Sequence, residues 1–124
     1  MKRILAVCDD VDTLESLTAF LEAHGYEVEI ASNGPEAIVI LQERKFDLLL
    51  IDYLMQPLNG IETLKMIRAD RKIGPLKVII ASSLPKSEID SFALKELGVL
   101  DYIHKPFDLK DFLERIRMID KGGG

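Results

Sequence analysis

Four short polar clusters each stand directly behind an apolar run: Cys8, Asp9 and Asp10 after ILAV at 4–7, Asp52 after DLLLI at 47–51, Ser82 and Ser83 after KVIIA at 77–81, and His104 with Lys105 after GVLDYI at 98–103. Brought together, they would form a small phosphoryl-handling set. Carboxylates a few ångströms apart repel, and either raise one another's pKa or recruit a cation. Hard oxygen ligands with open positions suit Mg²⁺, which takes one or two carboxylates and fills its shell with substrate phosphate and water. A lysine supplies a point charge for a phosphoryl oxygen, and a serine hydroxyl can donate to another. A carboxylate so placed can itself be the nucleophile, forming an aspartyl phosphate. Phosphoryl transfer needs mainly positioning and charge neutralisation, which this set could supply.

Convergence of the four clusters is a demand on topology. The apolar runs at 4–7, 28–31, 47–51, 77–81 and 98–103 read as strands, three of them nearly continuous Val, Ile, Leu and Ala, as expected for strands buried on both faces. Helical patterns lie between them. In the first, Leu14, Leu17 and Leu21 face inward, Asp12 and Glu15 are placed as cap and third residue, and Gly25 is the stop. The second starts near Pro35 with Ile38 and Leu41 inward; the third runs over 61–70 with Leu64 and Ile67 inward; the fourth spans 86–97. The fifth begins at Asp108 and carries Leu109, Phe112, Leu113, Ile116 and Ile119. Five βα units imply an open parallel sheet with helices on both faces. Ligands of such sheets bind outside the carboxyl ends of the strands, where all four clusters stand.

Composition narrows the function further. A chain of 124 residues holds one domain, and 48% hydrophobic with 30% charged residues is a globular balance. A net charge of −5 argues against a nucleic-acid-binding surface. One cysteine excludes a disulfide framework, and the amino terminus meets charge too early for a signal peptide or membrane span, so a cytoplasmic location is expected. No P-loop or dinucleotide fingerprint occurs. The domain is expected over 1–121, with glycines 122–124 as a flexible tail.

With ILAVCDDVDTLESL, DLLLIDYLMQPLNGIETL, KVIIASS and GVLDYIHKPFDLKDFLERI in this order, the chain resembles the receiver domain of two-component response regulators over essentially its whole length. The resemblance implies a doubly wound five-stranded parallel sheet in the order 2-1-3-4-5 with five helices, the flavodoxin or CheY-like fold. It implies a switch rather than a turnover enzyme, one that promotes only its own phosphorylation and dephosphorylation. Asp52 would be the phosphoacceptor, charged in a Mg²⁺-dependent reaction by a histidine kinase or phosphotransfer protein. Asp9, Asp52 and the backbone carbonyl of Leu54 would hold the Mg²⁺, with Asp10 a candidate ligand through water. Ser82 would be the switch hydroxyl, Lys105 would pair with a phosphoryl oxygen, and the Lys105–Pro106 bond is often cis in the family. Tyr102 would turn inward as Ser82 is drawn to the phosphoryl group. The face formed by helix 4, strand 5 and helix 5 would carry the signal and serve homodimerisation.

Some positions depart from the pattern. Cys8 stands where the first of two acids is usual, which implies weaker Mg²⁺ binding because a thiol is a poor partner for a hard cation. Gln56 and Pro57 stand where the family has its proline one position earlier, and one extra residue falls near Leu84–Pro85. Plainer readings exist for several residues: Cys8 as a small buried hydrophobe, Asp10 as a solvated loop acid, Asp12 as a helix cap, Tyr102 as core packing, His104 as an exposed strand end, and Ile38–Leu41 as core or partner contact. Two other functions fit parts of the pattern. A pseudo-receiver would bind partners without phosphorylation, and a haloacid-dehalogenase-like phosphatase is suggested by Asp10-Val11-Asp12-Thr13, although that motif lacks a residue before its threonine.

Overall fold

Why the polar clusters meet is clear from how the apolar runs pair. A computed structural model describes residues 3–122. Its strands are β1 (Arg3–Val7), β2 (Glu27–Ala31), β3 (Leu48–Asp52), β4 (Lys77–Ser82) and β5 (Asp101–His104). They form one parallel sheet in the order β2-β1-β3-β4-β5, with Val7 opposite Ile51, Ile51 opposite Ile80, and Ile80 opposite Tyr102. This is the doubly wound order expected.

Successive side chains of a strand point to opposite faces, and here the alternation is strict. Ile4, Ala6, Leu48, Leu50, Ile79, Ala81 and Ile103 pack on one face beneath α1 (Val11–Ala23) and α5 (Leu109–Gly122). Leu5, Val7, Leu49, Ile51, Val78 and Ile80 pack on the other, beneath α2 (Gly34–Glu43), α3 (Gly60–Ala69) and α4 (Ser91–Glu96). Most inward residues expected of the helices are buried in these two cores, Phe112 and Leu64 completely; Ile38, Ile40, Leu109 and Ile119 are only partly buried, and Val39 is exposed.

Three local details differ from the sequence-based expectations. The cap of α1 is Asp10, whose carboxylate accepts from the amides of Asp12 and Thr13, so Asp12 is not the cap but lies in the first helical turn. The expected fourth helix over 86–97 is broken. A 3₁₀ turn (Lys86–Glu88) is followed by extended Ile89, which is buried, and Asp90 then caps a six-residue α4 by accepting from Ala93. Residues 98–100 precede β5 rather than open it: Gly98, at φ +68°, turns the chain out of α4. Gly122 is the last residue of α5, and Gly123 and Gly124, the rest of the expected tail, lie outside the described residues.

A half-buried arginine ties α3, the end of α4 and the start of β4 together. Arg68, near the end of α3, donates through Nε to the carbonyl of Leu97 at 2.8 Å and through its terminal nitrogen to the carbonyls of Gly74 and Leu76. Burial pushes its pKa below the ordinary arginine value. At the opposite edge, α3 starts beside the end of β3. Asn59 caps it in a reciprocal box with Glu62, and Gly60 donates its amide to the carbonyl of Tyr53 at 2.8 Å. A β-carbon on Gly60 would lie 2.7 Å from the carbonyl oxygen of Asp52 and 3.0 Å from Cα of Tyr53. Both obstacles are backbone, so Gly60→Ala is expected to cost about 1–3 kcal/mol through overpacking. A lowered urea midpoint with an unchanged slope would show this; an unchanged midpoint would mean that α3 is free to back away.

Candidate functional site

Each strand-end residue is fixed by one backbone hydrogen bond that continues the sheet past its last pair. The amide of Cys8 donates to Ala31 at 3.1 Å, that of Tyr53 to Ala81 at 2.8 Å, and that of Lys105 to Ser82 at 2.7 Å. The alternation of the strands then sorts the side chains. Cys8, Asp52 and Lys105 continue the series 4-6, 48-50 and 103, and so emerge on the α1/α5 side. Ser82 and Tyr102 belong to the opposite series.

Asp52 is 8% exposed at the end of β3. The Lys105 ammonium donates to its Oδ2 at 2.6 Å, and the Cys8 thiol donates to the same oxygen at 3.4 Å. Lys105 Nζ also lies 3.7 Å from Cys8 Sγ, which receives the amide of Asp10 at 3.4 Å. Ligand atoms of Cys8, Asp9 and Asp52 all lie within 4.8 Å of one another. Asp9 is exposed and lines a cleft with Leu54, Gln56, Asn59 and Glu62. Asp10 is turned away: one carboxylate oxygen holds the amides of Asp12 and Thr13, and the other accepts the Thr13 hydroxyl at 2.8 Å. These bonds, the Thr13 hydroxyl first, hold its pKa below the usual carboxylate value.

The second group is a relay of three residues. Ser82 is 0% exposed, and its Oγ accepts the amide of Leu84 at 3.0 Å. The hydroxyl of Tyr102 donates to the carbonyl of that same Leu84. One peptide segment of the loop after β4 therefore carries bonds to both side chains. Tyr102 also packs partly against the core, so its packing and its loop contact coexist. His104 is exposed and its Nε2 lies 3.0 Å from the carbonyl of Ser83. Gln56–Pro57 and Lys105–Pro106 are both cis; the second was implied by the resemblance, the first was not.

Electrostatics set two charge states here. Burial opposes the Lys105 ammonium, but the hydrogen bond and the charge of Asp52 outweigh it, so the Lys105 pKa is raised above 10.5. The ammonium therefore persists through the neutral range. For Cys8, burial dominates over the Asp10 amide and the Lys105 charge and raises the thiol above 9.0. A divalent cation of the Mg²⁺ type would find two carboxylates, Asp9 and Asp52, with a backbone segment at Leu54 in the adjoining cleft, a fit for a hard ion that keeps several waters. Cys8 adds no hard donor to it.

The thiol is both shut in and held protonated, and only the thiolate reacts readily. Iodoacetamide is expected to alkylate Cys8 in the folded protein far more slowly than in urea at pH 8, with the folded rate rising at a higher pH than the rate in urea. Mass spectrometry of timed samples would measure this, and equal rates in both states would contradict the burial.

A model of the response regulator receiver domain matches residues 4–117. The chain is 40% identical over 119 residues to the transcriptional regulatory protein CpxR homolog of Haemophilus influenzae, covering 96% of this chain and 50% of that protein. It is 34% identical to protein PilH of Pseudomonas aeruginosa, covering 98% of this chain and 100% of that one. Thus the chain spans about half the length of the CpxR relative and the whole of PilH. The structure resembles that of the Thermotoga maritima response regulator TrrA in complex with Mg²⁺ and beryllium fluoride, with a TM-score of 0.80, 30% identity, and coverage of 96% of this chain and 99% of that one. No helix among the described residues is long and apolar enough to cross a membrane. With sequence, topology and strand-end chemistry in agreement, the chain belongs to the receiver-domain family of response regulators.

Proposed function

We propose that this domain is a phosphoacceptor switch in which Asp52 receives a phosphoryl group from a histidine kinase or phosphotransfer protein. The observation that carries the reading is Asp52 itself, buried at the end of a central strand with an ammonium on one oxygen at 2.6 Å. In the transfer, a carboxylate oxygen of Asp52 forms a bond to phosphorus as the bond from phosphorus to the donor's histidine nitrogen breaks. Lys105 is positioned to pass from the carboxylate to a phosphoryl oxygen without leaving the site. Asp9, Asp52 and the carbonyl of Leu54 would hold Mg²⁺, with Asp10 at most a water-mediated partner because its carboxylate already caps α1. When bound, the ion would neutralise the oxygens of the transferred group. A groove lined by Thr13, Ser16, Leu17, Ser83 and Phe107 opens beside Lys105 and offers a place for the phosphodonor.

The response then follows from the relay. Drawing the Ser82 hydroxyl to the phosphoryl group means giving up the amide of Leu84, and a moving Leu84 releases the hydroxyl of Tyr102. Tyr102 is then free to turn inward, shifting the face formed by α4, β5 and α5 to its active state, a population shift between two existing arrangements. That face would contact output partners or a second copy. The net charge of −5 supports protein partners over direct nucleic-acid contact by this domain, in a cytoplasmic setting. Receiver domains are signalling switches rather than ordinary enzymes; this one would promote only its own phosphorylation and dephosphorylation. Cys8 in place of an acid, and Gln56 where the family places its proline, favour a pseudo-receiver which binds partners without phosphorylation.

Incubation with acetyl phosphate and Mg²⁺, read by intact mass, separates the two. One phosphoryl group is expected on the wild type, with none on Asp52→Asn and none without Mg²⁺. Absence of the adduct, together with no spectral response to beryllium fluoride, would leave the pseudo-receiver.

A further inference from the structure

Cys8 is more than a missing acid. Its sulfur lies with carboxylate oxygens of Asp9 and Asp52 inside one 4.8 Å cluster, and it takes the Asp10 amide at 3.4 Å while the Lys105 ammonium lies at 3.7 Å. Two positive or partly positive donors thus face the sulfur. The thiol is neutral, so with Lys105 offsetting one of the two acids the local charge is about one unit less negative than an acid at position 8 would make it. A hard ion such as Mg²⁺ binds through charge and oxygen donors and gives up its water reluctantly, so it loses on both counts. A thiophilic ion regains the difference through a metal–sulfur bond.

From this we infer that Cys8 turns the divalent-cation site proposed above away from Mg²⁺ and towards a thiophilic ion of the zinc class, held by Cys8, Asp9 and Asp52. Three protein ligands with a fourth position left to water is the usual pattern of an open zinc site. Ligand atoms around tetrahedral zinc lie roughly 3.5 Å apart, given bonds of about 2.0–2.3 Å. The cluster is within 4.8 Å already, so closing it asks for about an ångström of side-chain movement at an exposed Asp9. As the metal–sulfur bond forms, the Cys8 proton leaves to water. The ion competes with Lys105 for Asp52, which is the same exchange of partners that phosphorylation would require. The inference rests on the cation site of the phosphoacceptor reading, but its readout is binding alone.

Cd²⁺ serves as the probe, because cadmium bound to sulfur gives an ultraviolet charge-transfer band. The full chain would be titrated with Cd²⁺, Zn²⁺ and Mg²⁺ by calorimetry and absorbance, beside Cys8→Ser and Cys8→Asp, each checked for folding by circular dichroism. The wild type is expected to take one Cd²⁺ with a charge-transfer band that Cys8→Ser lacks, and to bind Zn²⁺ at least about a hundredfold more tightly than Mg²⁺. Cys8→Asp should lose the band and gain Mg²⁺ affinity by at least about tenfold. A wild type with no band, or one that binds Mg²⁺ as tightly as Zn²⁺, overturns the inference. Acetyl phosphate with Mg²⁺ on Cys8→Asp separates the two claims. Phosphorylation there without a cadmium band in the wild type leaves the switch standing and the thiophilic site refuted. A band in the wild type without phosphorylation of Cys8→Asp does the reverse.

Discussion

A parallel sheet covered on both faces has no place for charge except at its ends. Five strands, mostly of aliphatic side chains, packed beneath α1 and α5 on one side and α2, α3 and α4 on the other, leave polar groups to the ends of the strands. The candidate site residues are therefore gathered on the carboxyl rim. The alternation of the strands divides that rim in two: Cys8, Asp52 and Lys105 share one face, Ser82 and Tyr102 the other. The residues proposed for reaction and for readout thereby stand on neighbouring strands but are separate in their packing.

Within the rim, the balance of charge rests on Lys105. Burial disfavours the ammonium; the hydrogen bond and charge of Asp52 more than offset it, and the pair stabilises both members in a place where either alone would be costly. Cys8 contributes no charge to this balance. It is nearly enclosed by Ala6, Leu50 and the other residues of the α1/α5 core, so the reading of Cys8 as a small buried hydrophobe and its contact with Asp52 describe the same atom.

The sequence made the sheet legible because burial on both faces writes itself as uninterrupted Val, Ile and Leu. The cluster after each strand was legible for the same reason, since a polar residue directly behind such a run has nowhere else to go. Local competition was harder to read. Asp10 and Asp12 are both acids at the entrance to α1, and only the fold decides that Asp10 faces the free amides. Along 86–97 the spacing of apolar residues suits a helix, yet Asp90 withdraws its own backbone from the helix by bonding to Ala93, and buried Ile89 is extended. The link from Ser82 through Leu84 to Tyr102 could not be seen at all, because it runs through main-chain atoms of a loop. The resemblance supplied the roles of Ser82 and Tyr102 but not the segment that joins them.

Arg68 gives this arrangement a mechanical asymmetry. By holding the carbonyl of Leu97 beside those of Gly74 and Leu76, it pins the carboxyl end of α4 to α3 and to the start of β4. The other end of α4 is joined to β4 through the 3₁₀ turn and the buried, extended Ile89, with no comparable arginine clamp among the described residues. The short helix is thus tied by the guanidinium at the base of the domain and held at the rim only by its Asp90 cap and the packing of Ile89. In the proposed switch, a displacement of Leu84 would enter at the rim end and swing the helix about a fulcrum set by one guanidinium.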